Sequence, residues 1–310
     1  MRHKIQSLIV SSVLGVSLAA LPSAFADGPE TTAEQATTLK KADKKVEQAE
    51  KKVEQAEKKV EQAEKKVAKA EKKVERAEKK AEMAGDADVI DHAPFEALLN
   101  KYVDRRGMVA YGRWHGDSAD RAALASYVKQ VGEAKLDAKS KSARLAFYIN
   151  AYNALVLDAI ISKWPVESVM KLDGFFNKDV HTVAGQKMTL DDLEHNKVIR
   201  VQFDEPRIHF VLVCAAKSCP RLRTSAMTHA NLEQNLEAAT REFVPQATRV
   251  EGNTVYTTQL FNWFRQDFEK HSGSIEAYIA RYVSAEQAKV LQLGSATVEF
   301  TEYDWAINKQ

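Results

Sequence analysis

Cys214 and Cys219 are the only cysteines in 310 residues, and they stand five positions apart in the run Cys-Ala-Ala-Lys-Ser-Cys. A thiol can attack as a thiolate, close a disulfide or ligate a metal, and this spacing leaves each chemistry open. Lys217 precedes Cys219, and Arg221 and Arg223 follow it. Nearby cations lower a thiol's pKa and populate the nucleophilic thiolate. Such a nucleophile needs a base and a group that orients the base. His209 and His195 are the candidate bases. Asn150 is the candidate orienting group, with Asn153 and Asp192 as alternatives. The catalytic expectation is therefore Cys219, His209, His195 and Asn150, with Asn153, Arg207, Arg221 and Glu194 offering charge and hydrogen bonds to a substrate. The corresponding reaction is that of a cysteine hydrolase or transferase acting on a peptide or amide bond.

Three other readings compete. Two cysteines in an exported chain can form a Cys214–Cys219 disulfide. Zinc could be held by both sulfurs with His195 and His209, but a C-x4-C spacing lies at the edge of ligand patterns, so no metal is assigned. No cofactor is assigned either, because no P-loop, dinucleotide fingerprint, HExxH or GxSxG stands where its chemistry requires it. The last reading is a non-catalytic envelope binding or scaffold module whose Asn, His and Arg residues line a groove for an unknown envelope ligand.

These residues need elements to position them. Ser142–Lys163 is apolar on every side of a helical projection, as expected for a buried central helix that Pro165 stops. Asn150 and Asn153 interrupt one face of it. Thr189 and Asp192 resemble a capping box, opening a helix that carries Glu194 and His195 to about Ile199. Arg207–Cys214 is rich in β-branched and aromatic residues and predicts a strand, with His209 and Cys214 on opposite faces. Shorter helices are expected over Asp91–Val103, Arg121–Val131, His229–Val244, Leu260–Phe268 and Ile275–Val283, and strands near Val250–Thr257 and Ala296–Thr301. Helices and strands mix without regular alternation. The expected fold is α+β, a single globular domain over 88–310 with a buried central helix and a small mixed sheet.

The runs AFYINAYNALV (146–156), TLDDLEH (189–195), PRIHFVLVCAAKSCPRL (206–222) and YDWAIN (303–308) occur in that order. Together they resemble the domain-of-unknown-function 547 family across most of the globular part. Thr258-Gln259-Leu260-Phe261-Asn262-Trp263 departs from the Leu-Ser that usually precedes Phe-x-Trp in that family. The resemblance implies a kind of domain and no particular reaction.

Two segments precede this domain. Arg2-His3-Lys4, a mostly apolar stretch and Ala24-Phe25-Ala26 read as a secretory signal over 1–26, followed by a linker over 27–39. A soluble, exported, periplasmic protein is expected, with no transmembrane span after cleavage. From Lys44 the unit KKVEQAE repeats and then decays, with Val at a positions and Ala at d positions, so that 40–84 reads as a heptad-repeat helix preceding the domain. Lys52 and Lys59 at g face Glu57 and Glu64 at e′ in a parallel pair, the pattern of a weak homodimer through 44–84. Charge excludes a strongly electrostatic nucleic-acid binder. The chain holds 45 basic and 43 acidic residues, and without Arg2 and Lys4 the remainder balances.

Overall fold

The computed structural model describes residues 48, 51–70, 72, 73 and 87–310. The chain divides into two compact units, Met1–Glu71 and Lys72–Gln310. The expected signal and linker, and the two ends of the repeat segment, lie outside the described residues. Within the first unit residues 51–70 are helical. Lys58 pairs with Glu54 and Lys65 with Glu61, each at 2.6 Å and one turn apart. Val53, Val60 and Val67 keep about half of their surface exposed, at 47%, 51% and 58%.

The second unit is an α+β domain with a buried central helix. Helix α1 (Ala93–Tyr102) turns Phe95, Leu98, Leu99 and Tyr102 inward. Helices α2 (Tyr111–Gly116) and α3 (Ser118–Glu133) follow, and the Asp117 side chain caps α3 by accepting from the N–H groups of Ala119 and Asp120. Helix α4 (Lys141–Ser162) is the centre, and both α2 and α3 pack on it. Ser140 caps it by accepting from the Ala143 N–H at 3.1 Å, and every residue from Leu145 to Leu157 is buried. Its length and hydropathy would suit a membrane span, but 83% of its apolar window is buried within the protein. It is a core helix.

The two asparagines of α4 tie loops to it. Asn150 donates to the Met227 carbonyl at 2.7 Å and accepts from the Met227 N–H at 2.9 Å. Asn153 donates to the Val211 carbonyl at 3.0 Å and accepts from the Val213 N–H at 2.9 Å. Each amide thus satisfies one backbone donor and one acceptor that would otherwise be buried alone.

Beyond α4, strands β1 (His181–Val183) and β2 (Gln186–Met188) form an antiparallel hairpin. Ala184 and Gly185 join them with φ of 48° and 79°, the two positive values that a type I′ turn demands. Thr189 and Asp192 then cap each other reciprocally, the Asp192 N–H donating to Thr189 Oγ1 at 3.1 Å and the Thr189 N–H to Asp192 Oδ2 at 3.4 Å. The regular helix expected after them is instead a π turn, Asp192–Asn196, closed by the Lys197 N–H donating to the Asp192 carbonyl at 2.9 Å. Glu194 and His195 ride on this wide turn, and the short helix α5 (Ile199–Phe203) follows.

The expected strand over Arg207–Cys214 does not form. Pro206–Phe210 is a 3-10 turn, started by the Glu205 side chain accepting from the Arg207 N–H at 3.1 Å. Pro206 has no N–H to give a neighbouring strand, and Asn153 serves as hydrogen-bond partner for Val211 and Val213. The apolar run marks burial, which a coil in the core can satisfy as well as a strand.

The remaining helices are α6 (Leu232–Gln246), α7 (Gln259–Trp263), α8 (Arg265–Ser272), α9 (Ile275–Ile279) and α10 (Ala285–Gln292). Strands β3 (Arg249–Glu251) and β4 (Thr254–Thr257), after α6, and β5 (Thr297–Phe300), after α10, make a small mixed sheet. Strand β4 is antiparallel to β3 and parallel to β5. The segment after β5 returns to the core. Ala306 accepts from the Lys217 N–H at 2.8 Å, the Asn308 N–H donates to Ala215 at 2.9 Å, and the Val109 N–H donates to Asn308 at 2.8 Å.

Candidate functional site: a disulfide-walled aromatic cavity

Cys214 and Cys219 are joined to each other, with their Cα atoms 6.4 Å apart, inside the span that a disulfide can bridge. The Tyr303 hydroxyl donates to Cys219 Sγ at 3.2 Å, and the Cys214 N–H reaches the same sulfur at 3.1 Å. This corrects the expected thiol chemistry. A sulfur already bonded to sulfur carries no thiolate, so Cys219 cannot be the nucleophile of a hydrolase or transferase. Neither sulfur is left to complete a zinc set, and no group of three or more His, Cys, Asp or Glu side chains is placed to hold a metal among the described residues.

The arginines around the loop are also engaged elsewhere. Arg221 pairs with Glu242 at 2.5 and 2.7 Å, and Arg223 reaches the same carboxylate at 3.4 Å. Arg207 is held by Glu205 and Glu233 through four hydrogen bonds of 2.7 to 2.9 Å.

The disulfide lies in the wall of a cavity of about 670 Å³, well within the range of small-molecule sites. Of the residues singled out in the sequence, Glu194, His195, His209, Cys214 and Cys219 line it. Asn150 and Asn153 do not, facing a separate small recess beside Met227, and Arg207 and Arg221 are also absent from its walls.

His209 is wholly buried, and its ring stacks on Phe264 with centroids 3.9 Å apart. Its Nε2–H donates to Asp267 Oδ2 at 2.7 Å, and Arg200 grips the same carboxylate at 2.7 and 2.9 Å. An ionised carboxylate only accepts, so the neutral ring carries its proton on Nε2 and leaves Nδ1 as a bare acceptor. Burial lowers the pKa of His209, outweighing its hydrogen bond to Asp267, which favours the charged form. Burial also opposes the ionisation of Asp267, yet the hydrogen bonds from His209 and Arg200 hold its carboxyl well below the usual range.

His195 packs on Phe264 at 5.4 Å, with its Nε2 at 3.8 Å from Glu194 Oε2. The Nδ1 atoms of His195 and His209 are buried and have no hydrogen-bond partner among the described residues. Glu194 is itself buried, and it lies close enough to Tyr152 for its charge to act on that hydroxyl. Burial first, and the Glu194 charge second, push the Tyr152 hydroxyl far above its ordinary pKa, so it stays a donor. Burial likewise raises Tyr303, which keeps the proton that it directs at Cys219.

Beside the disulfide the wall is aromatic. Trp263, Tyr303 and Trp305 pack together with ring centroids 4.6 to 5.7 Å apart, beside Phe264, Phe175 and Phe176. Sequence reasoning missed this wall, and it missed Asp267 and Arg200 behind His209. The only local signal was the clustering of aromatic residues in Phe261-Asn262-Trp263-Phe264 and Tyr303-Asp304-Trp305.

Residues 136–244 match the family model described as "Protein of unknown function, DUF547". No curated protein and no solved structure matches the chain. The matched segment contributes Tyr152, Glu194, His195, His209 and both cysteines to the cavity, whereas Trp263, Phe264, Tyr303 and Trp305 lie beyond it. The match to the DUF547 family therefore runs from α4 through the disulfide loop into α6.

Proposed function

We propose that the globular unit is a non-catalytic binding module, and that the disulfide-walled cavity is where it takes a small ligand in the cell envelope. One observation carries this reading. The cavity has a closed disulfide where a reactive thiol would have to be, and aromatic rings beside it. Apolar walls with a few placed polar groups suit holding a ligand, the rings supplying buried area and the polar groups its orientation. His209, locked by Asp267 and stacked on Phe264, serves in this reading to hold the wall in one geometry.

The signal pattern over 1–26 supports export to the periplasm, and a structural disulfide suits an oxidising compartment. The heptad segment 44–84 serves as a stalk in the same reading, pairing weakly with a second copy through its Val and Ala seam and its Lys-to-Glu e/g contacts.

The reading is tested on the whole mature chain, without reductant, by screening a chemically diverse set of small molecules for thermal stabilisation and for quenching of tryptophan emission. Ligands are expected that lose most of their effect in Trp263→Ala. A screen spanning charged, neutral and apolar compounds that yields none would overturn it.

A further inference from the structure

We infer that the cavity takes an alkylated ammonium group, a small organic cation held between Glu194 and the rings of Trp263, Tyr303 and Trp305. This rests on the binding-module reading and names its ligand class. The first support is charge. The walls carry Asp173, Asp191 and Glu194 against a single cation, Lys178, which is paired with Asp173 at 3.0 Å. Glu194 has only 10% of its side chain exposed, and a carboxylate in so dry a place attracts a cation far more strongly than one in water.

The second support is the rings. Trp263 is the only aromatic residue among the described ones that is exposed, at 45%, and it does so at this cavity. Aromatic faces attract cations, Trp most strongly, and several rings around one ammonium make a cage. Where the protein stacks its own cations on rings it uses other rings, as with Arg200 over Phe264 at 5.1 Å and Lys309 over Trp164 at 6.0 Å. Among the described residues none occupies Trp263, Tyr303 or Trp305.

The third support is size and polarity together. A cavity of about 670 Å³ with mostly carbon walls repays poorly the dehydration of a compact, strongly hydrated primary ammonium. An ammonium whose hydrogens are replaced by methyl groups sheds less water and fills more of the ring surface.

Calorimetric titration of the full mature chain with choline tests this, alongside 3,3-dimethyl-1-butanol, the uncharged carbon isostere of the same shape. Choline is expected to bind at least about tenfold more tightly than the isostere. Glu194→Gln and, separately, Trp263→Ala should each weaken choline by about tenfold or more. Trp263 is at the surface, so its variant folds even if loss of the buried Glu194 charge disturbs the π turn, and a melting curve of each variant checks this. Equal affinity for choline and its isostere would overturn the inference, as would choline binding that ignores Trp263→Ala. If choline does not bind while a neutral sugar or an apolar dye does, with the same dependence on Trp263, the ligand class is wrong and the binding module stands. If nothing of any class binds, both fall.

Discussion

His209 concentrates the physical argument at the scale of single residues. A fully buried imidazole that hydrogen-bonds an aspartate could be a catalytic base, but here the nearby sulfurs are spent and the ring is clamped on Phe264. Its cost to the fold appears in acid. Burial lowers the pKa values of His209, His92 and His181 in the folded protein. Below about pH 6.5 the unfolded chain binds protons at these rings that the folded chain refuses. Stability is therefore intact above that pH and is lost as the pH falls toward the depressed folded values. Thermal unfolding followed between pH 7.5 and 5 should show the melting temperature falling, with a shallower fall in His209→Phe, which keeps a flat ring on Phe264. A slope unchanged by that substitution would assign the pH sensitivity to the other two histidines. Asn150 makes a second residue-scale prediction. Asn150→Leu leaves the Met227 N–H and carbonyl without their partners in a buried place. It should lower the unfolding free energy by about 2 kcal/mol, read from a denaturant midpoint. That an asparagine on a buried helix face must be tying something down was legible in the sequence, while what it ties, 77 positions away, was not.

Among the elements, the central helix was the most legible. An apolar run too long for a strand and unbroken by glycine or proline has few other solutions, and α4 occupies Lys141–Ser162 against an expected Ser142–Lys163. The Thr189–Asp192 cap was legible for the same local reason, since both hydrogen bonds lie within four residues. The π turn after it was not, because one extra residue in a turn leaves no pattern of its own. Arg207–Cys214 was misread as a strand since β-branched and aromatic content reports burial, and pairing depends on a neighbour that local pattern does not specify. The disulfide loop belongs to this scale too. Closing five or six residues removes conformational freedom from the unfolded chain worth about 2 kcal/mol. Reduction, or the double substitution Cys214→Ser with Cys219→Ser, should lower stability by about that amount, with helical content by circular dichroism retained. Loss of the whole fold on reduction would mean that the loop organises much more than one wall.

Across the whole molecule, the cavity is assembled from distant stretches, with Tyr152 on α4, Glu194 and His195 on the π turn, Trp263 on α7, and Tyr303 and Trp305 near the end of the sequence. The returning segment 303–310 brings the last two into place by hydrogen bonds to Ala215, Lys217 and Val109. No spacing rule reaches across such distances, which is why half of the candidate site was invisible in the sequence although each aromatic residue stood in plain view. The heptad segment is the other feature of this scale. In the proposed stalk a seam of valine and alanine gives weak association, since alanine at d forgoes several methylenes of about 0.8 kcal/mol each. Sedimentation of the mature chain should show reversible dimerisation at high micromolar concentration that a chain starting at Asp88 lacks. Identical monomers in both would mean a solitary, solvated helix.

The state of two sulfurs decides between a cavity that binds and one that reacts. The direct measurement is the intact mass of the mature protein, isolated without reductant and exposed to iodoacetamide before and after unfolding. The structure predicts a mass two hydrogens below that of the reduced chain and no adduct in either condition, because Cys214 and Cys219 are bonded to each other. A rapid single adduct on Cys219 in the folded protein would contradict the account and return the cavity to thiol chemistry.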